Sequence, residues 1–191
     1  MNLNVDLKHP VFERMAKELD AEPPRFLLIV PCPDAQLSQC ELTVEKQIAL
    51  SGGSKVFGWD VEPSASGCLE TEGHFVWKSV SGVLLDVTPW NKPRQRTVFM
   101  ASHVPKVEPR GLFPASRGFA LSHEFEPVEK FLNESGLLFS KVRESMVEVY
   151  GPPPFRYSKE DGRKFIQKAQ EQLSIWNPAV EKAVLIRVGV E

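Results

Sequence analysis

Apolar and polar positions along the first hundred residues alternate in blocks that predict short helices and strands. Val11, Met15 and Leu19 recur at i+4 spacing behind Pro10, which predicts a helix over 10–20 that Pro23 and Pro24 end. The unbroken apolar run at 26–30 predicts a buried strand. A second helix is predicted over 39–50, where Cys40, Val44 and Ile48 share one face. Ser38 is its expected N-cap, Glu41 the capping-box partner, and Gly52-Gly53 the stop. Residues 55–61, 68–78, 83–88 and 96–101 read as strands, with a tight turn around Ser81-Gly82 joining the second and third.

Beyond residue 102 the texture changes. Pro105, Pro109 and Pro114 punctuate an irregular stretch, 126–135 and 137–150 read as two helices, and Gly151-Pro-Pro-Pro154 is a hard break. A further helix over 158–175 is capped by Ser158, and 183–190 reads as a last strand. The pattern predicts an α+β fold with a central antiparallel sheet and a helix packed on it. Residues 1–104 form the expected core with its N-terminal helix, and 105–191 a mostly helical extension packed on that core.

Composition narrows the function. The 191 residues are 42% apolar and 25% charged with a net charge of −2, as in a soluble globular domain without a general phosphate-binding surface. Nucleic acid is therefore not an expected partner. No run of about 18 apolar residues is present, so no membrane span is expected, and the N-terminus lacks the basic start and apolar stretch of a signal peptide. A cytoplasmic location follows as an expectation. Three cysteines, Cys32, Cys40 and Cys68, argue against a disulfide framework. With His74 they have spacings C-x7-C and C-x5-H but no C-x2-C pair, so no metal is expected. Neither a P-loop nor a dinucleotide fingerprint occurs, and no cofactor is expected. Lys92, Arg94 and Arg96 read as a solvated strand edge.

The chemistry concentrates in 40–89. Cys40 opens a helix, where unpaired N–H groups and the helix dipole favour a thiolate and could stabilise an oxyanion. His74 lies in one predicted strand and Asp86 in the next. An even number of positions separates them, so an odd-length turn places both on one face. A loop at 79–81 sets them directly opposite, and a loop at 80–82 with left-handed Gly82 makes them diagonal neighbours. Cys, His and Asp are what a thiol nucleophile needs: a base, and a carboxylate to orient the base. Gln36, in preference to Gln39, is a candidate side-chain donor to an oxyanion, and Glu72 is a rival partner for His74. Trp59 and Trp77 are either a substrate wall or core packing. Each triad residue also has a plainer reading: Cys40 as a core thiol, His74 as a satisfied strand residue, Asp86 as an anchor for the turn at Thr88-Pro89.

A helix-borne cysteine, then H-x-x-W at His74 to Trp77, then D-x-T-P at Asp86 to Pro89 resembles the core of the transglutaminase-like proteins, within the broader papain-like cysteine fold. Arylamine N-acetyltransferases share that Cys…His…Asp order. More narrowly, G-G-x-x-V-x-G-W ending at Trp59, H-x-V-W, and G-x-L-x-D-x-T-P from Gly82 resemble a bacterial family whose members carry a cysteine before the G-G. The resemblance covers about 36–101, a third of the chain. It implies a papain-like core and, with the triad, cysteine-dependent acyl transfer or hydrolysis at an amide, ester or thioester carbonyl. The expected partner is a peptide, a protein or a small amide or acyl substrate. The alternative is a catalytically silent member of the same fold that binds a protein or peptide.

Overall fold

The computed structural model describes residues 5–37, 39–64, 67–91, 94–104 and 115–150. The helix and strand expected at 158–175 and 183–190, the irregular stretch at 105–114, the cap Ser38 and the basic residue Lys92 lie outside the described residues.

The described residues form an α+β fold with a mostly antiparallel sheet and three α-helices. Helix α1 (Val11–Leu19) starts behind Pro10 and buries Val11, Phe12, Met15 and Leu19, as its i+4 spacing requires. It ends at Asp20, whose φ of 50° is left-handed and whose N–H bonds the Ala16 carbonyl. β1 (Arg25–Leu28) follows, then α2 (Cys40–Ser51), β2 (Ser54–Pro63), β3 (Cys68–Lys78), β4 (Leu84–Leu85) and β5 (Arg96–Ala101). β6 (Arg117–Ala120), a 3-10 turn at His123–Phe125 and α3 (Glu126–Tyr150) complete the described chain.

The strands lie in the order β1-β5-β2-β3-β4, with β6 also paired to β3. The sheet curls until its ends meet. Ile29, just past β1, forms a parallel bridge with Asp86, just past β4. The Asp86 N–H bonds the Leu28 carbonyl at 3.0 Å, and the Val30 N–H bonds the Asp86 carbonyl at 2.8 Å. Side-chain alternation then separates an inner and an outer face. Leu27, Val76, Phe99 and Ala101 cluster on one. The other is covered by α1, over Trp59, Val61, Leu69, Val98 and Met100, and by α2, over Phe57 and Phe75.

Four sequence expectations change. The run at 26–30 is not a buried strand: only Leu27 of β1 is buried, while Leu28 is 62% and Val30 51% exposed. β1 has a ladder partner on one side, β5, and no helix covers its outer face among the described residues. β4 keeps only two residues of the expected 83–88, because at Asp86 the chain leaves β3 for the segment after β1. The two helices expected at 126–135 and 137–150 are one, α3, running through Gly136. That glycine serves close approach, since a Cβ there would run into the Ser116 carbonyl. β6 lies beyond the boundary read at residue 104 and pairs with β3 from Cys68↔Ala120 to Thr71↔Arg117.

Candidate active site

His74 sits in the middle of β3, directly opposite Gly58 of β2. The hairpin that follows has an odd loop. Ser79 N–H bonds the Val83 carbonyl at 2.8 Å and Gly82 N–H bonds the Ser79 carbonyl at 2.9 Å, which leaves Val80-Ser81-Gly82 as the loop. Gly82 has φ +87°, the conformation that three-residue hairpins ask of glycine. The ladder pairs Lys78↔Leu84 and Trp77↔Leu85. Carried on, that register sets Asp86 level with Val76, diagonal to His74 and on the same face.

The two side chains meet. His74 Nε2 lies 3.1 Å from Asp86 Oδ1, with the side chains 7% and 0% exposed. The oxygen lies off the axis of the ring N–H, so the contact is an ion pair with a bent approach rather than a straight hydrogen bond. Asp86 is held from both sides. Its Oδ1 accepts from the Thr88 N–H at 2.9 Å, and its Oδ2 from the indole N–H of Trp90 at 2.7 Å. Burial opposes ionisation of this carboxyl, but His74, the Thr88 N–H and the Trp90 indole outweigh it and hold the group below the usual carboxylate range. The two readings of Asp86 therefore coexist: one carboxylate faces the imidazole and anchors the turn at Thr88-Pro89.

Cys40 is the first residue of α2, with Gln39 at the N-cap position and no side chain capping the first N–H groups. Ser38, the expected cap, lies outside the described residues; its expected partner Glu41 pairs with Lys55, 2.6 Å away. Cys40 is 7% exposed. It packs among Cys32, Val44, Phe57, Phe75 and Val87, yet its sulfur is close enough to His74 to act on the ring. Burial alone would push His74 down; Asp86 and Cys40 together reverse that and push it up to about 10. The ring is thereby favoured as imidazolium. Strand pairing helps explain the access. β6 pairs with β3 as far as Thr71 and β4 from Trp77, so 72–76 have no strand on that edge among the described residues. A break of this kind lets a side chain from the helix layer reach a ring on the opposite face.

The remaining candidates separate. Gln36 accepts a hydrogen bond from Gln39 Nε2 at 3.0 Å at an exposed position, which leaves its own NH2 as a donor. Trp59 is 6% exposed and belongs to the α1 cluster. Trp77 ties β3 to the end of α2, its indole N–H bonding the Gly52 carbonyl at 2.8 Å. Glu72 pairs across to Asp60 in the ladder and is exposed. Cys68 lies at the far end of β3, with its thiol 3.9 Å from the Phe125 carbonyl. Cys32 shares the cluster with Cys40.

Sequence reasoning missed the groups behind the ion pair. Trp90 stands 5.2 Å from His74, ring to ring, and bonds Asp86. Arg94 is not a solvated edge residue: its side chain is 8% exposed, its guanidinium lies 3.4 Å from the Trp90 ring centroid, and Nη2 is 3.1 Å from Asp60 Oδ2. It also pairs with Glu62. Asp60, 2% exposed, accepts from the Thr97 hydroxyl as well. One signal was legible. Asp60 is a carboxylate inside a strand otherwise rich in apolar and aromatic residues, where a charge needs partners. The chain matches no protein-family model, no curated protein and no solved structure.

Proposed function

We propose that the protein carries out cysteine-dependent acyl transfer or hydrolysis through Cys40, His74 and Asp86, on a core of the transglutaminase-like or papain-like type. The observation that supports this reading is the approach of three groups from separate elements: a thiol at a helix start, an imidazole beside it, and a buried carboxylate 3.1 Å from that imidazole. Buried titratable groups with strongly perturbed protonation occur preferentially where chemistry is done.

The steps follow from the groups. The Cys40 thiolate attacks an amide, ester or thioester carbonyl, and the carbonyl π electrons move to oxygen. The N–H groups at the start of α2 would receive that oxyanion, with the Gln36 amide as a further candidate donor. When the tetrahedral centre collapses, the carbon–leaving-group bond breaks and the His74 imidazolium gives its proton to the departing atom. A thioester to Cys40 remains. Neutral His74 then takes a proton from water or an amine as it attacks, and collapse returns the thiolate. Asp86 keeps the ring oriented and its charge balanced throughout. Water as acceptor makes the protein a peptidase, amidase or deamidase; an amine makes it a transglutaminase or acetyltransferase.

One observation favours a second reading, a silent binding module of the same fold. Cys40 and His74 are only 7% and 5% exposed, so a substrate carbonyl reaches them only if part of the surrounding structure moves. Iodoacetamide labelling of the intact chain across pH 5–9, read by mass, separates the two. An enzyme poised as thiolate–imidazolium labels at Cys40 well below the ordinary thiol range near pH 8.5, on a plateau that Cys40→Ala abolishes. A binder labels slowly, with no plateau.

A further inference from the structure

The buried carboxylate of Asp60 takes no part in the steps above, and it is expensive to keep. Burial raises it to about 6, against the opposing pull of Arg94, His74 and Thr97. A group whose pKa the fold raises makes the folded state less favourable at neutral pH than a neutral group would. Arg94 and Thr97 offset only part of that cost, so the charge calls for an explanation beyond local packing.

The geometry supplies one. In the β2–β3 ladder Gly58 is opposite His74 and Asp60 opposite Glu72, so Asp60 and His74 are diagonal neighbours on one face. Gly58 has no side chain to stand between them. The space a Cβ would take there is filled by the tip of the Phe99 ring and the Met100 carbonyl, so hydrocarbon rather than water borders the two groups. We propose that Asp60, seated on Arg94 and Thr97, is a positioning residue whose buried negative charge holds His74 in the imidazolium form. This deepens the reading of the Cys40 site and rests on it for its meaning, though the electrostatic claim can be measured without any substrate.

The network has a second arm. Arg94 spans Asp60 and the face of Trp90, and Trp90 donates to Asp86, so the carboxylate on one side of His74 is mechanically tied to the carboxylate on the other. The charged groups facing His74 are thus Cys40 from α2, Asp60 from β2 and Asp86 from the segment after β4, with Arg94 behind Asp60. Glu72, two residues away on the same strand, lies on that face as well, but at an exposed position.

Asp60→Asn tests this, with His74 titrated by NMR of its ring resonances. Removing a unit charge ~7–8 Å away at an effective dielectric near 20 should lower the His74 midpoint by about one and a half pH units. Glu62→Gln, which touches the same Arg94 from a half-exposed position, should leave it in place. Thr97→Val removes a donor to Asp60 but not its charge, which is still present at the pH where His74 titrates, so it should move the midpoint little. If Asp60→Asn does not fold, the wild type still decides: reciprocity requires a step in the His74 shifts at the pH where Asp60 titrates. An unmoved midpoint in folded Asp60→Asn, an equal effect from Glu62→Gln, or no such step in the wild type overturns the proposal. The iodoacetamide profile of the wild type is read alongside. A wild type without a low-pH labelling plateau removes the acyl-transfer reading, whereas an intact plateau with an unmoved His74 removes only the role of Asp60.

Discussion

Asp86→Asn is the sharpest perturbation of this site, because the structure fixes what an amide would meet. All three groups around the carboxylate are donors: the Thr88 N–H, the Trp90 indole N–H and the His74 ring. An asparagine can offer one carbonyl oxygen, so its NH2 must face at least one donor, and no rotamer satisfies all three. Charge-assisted bonds are worth about 1.5–3 kcal/mol and neutral ones about 1, and a buried donor left without an acceptor costs a further 1–3. A loss of about 3 kcal/mol is the expected sum, or roughly 6–12 °C in melting temperature for a chain of this size.

The same change withdraws the main support for the charged imidazole. His74 should fall back, and the rate of Cys40 alkylation near pH 6 should drop by about 10- to 100-fold, one to two tenfold steps for the loss of an adjacent charge. Turnover, once a substrate is in hand, should fall further, up to the order of 10⁴ by analogy with the serine-protease Asp→Asn case. A pH signature accompanies the loss. His74 is raised from 6.5 to about 10, so its pairing contributes stability that is full below 6.5 and is lost as pH rises toward 10. Asp86 is lowered, so its part is present above the usual carboxylate range and is lost only in stronger acid. The wild type should therefore lose melting temperature between pH 7 and 10 more steeply than Asp86→Asn. Differential scanning fluorimetry and the alkylation profile, taken on one preparation, read both effects. A destabilised Asp86→Asn that alkylates at the wild-type rate at every pH would refute the role assigned here and leave Asp86 as a turn anchor beside a Cys40–His74 pair.

The other predictions are narrower. Cys40→Ala should abolish fast labelling at neutral pH, while Cys32→Ala and Cys68→Ala keep it, because Cys68 lies six residues from His74 along β3 at ~3.3 Å each; mass mapping of the labelled peptide decides. Trp77→Phe should cost about 1 kcal/mol for its bond to the Gly52 carbonyl and leave the pH profile of Cys40 unchanged. Gly58→Ala should destabilise by about 1–3 kcal/mol or more, measured by urea denaturation, since the new methyl would run into the Phe99 ring and the Met100 carbonyl and come within 2.9 Å of Ala101 Cα.

Much of the site was legible because its signals are local. Strand alternation and a turn around Ser81-Gly82 are properties of consecutive residues; they put His74 and Asp86 on one face for any odd loop, and the structure selects the loop at 80–82 that makes them diagonal neighbours. The bounds of β3 and β5, 68–78 and 96–101, followed from the same period. The i+4 stripe and Gly52-Gly53 located α2 with Cys40 in its first turn, one residue later in its start than the pattern predicts.

Tertiary structure decided what lies beyond the reach of a hairpin. The run at 26–30 has the same apolar character whether a helix covers it or not, and only the curl of the sheet leaves Leu28 and Val30 in water. Gly136 reads as a helix break until Ser116 is found against it. Arg94 looks like one of three surface cations, and becomes a buried clamp because Asp60, 34 positions away, has no other means of carrying a charge inside the sheet. Periodicity states which side of an element a residue occupies, but not what stands opposite when the opposing group comes from a distant strand. Here the sequence alone determined the order of the chemistry, thiol, imidazole and carboxylate, and the face two of them share. The meeting of the thiol's helix with the imidazole's strand, and the second carboxylate beside the imidazole, required long-range pairing that no local pattern encodes.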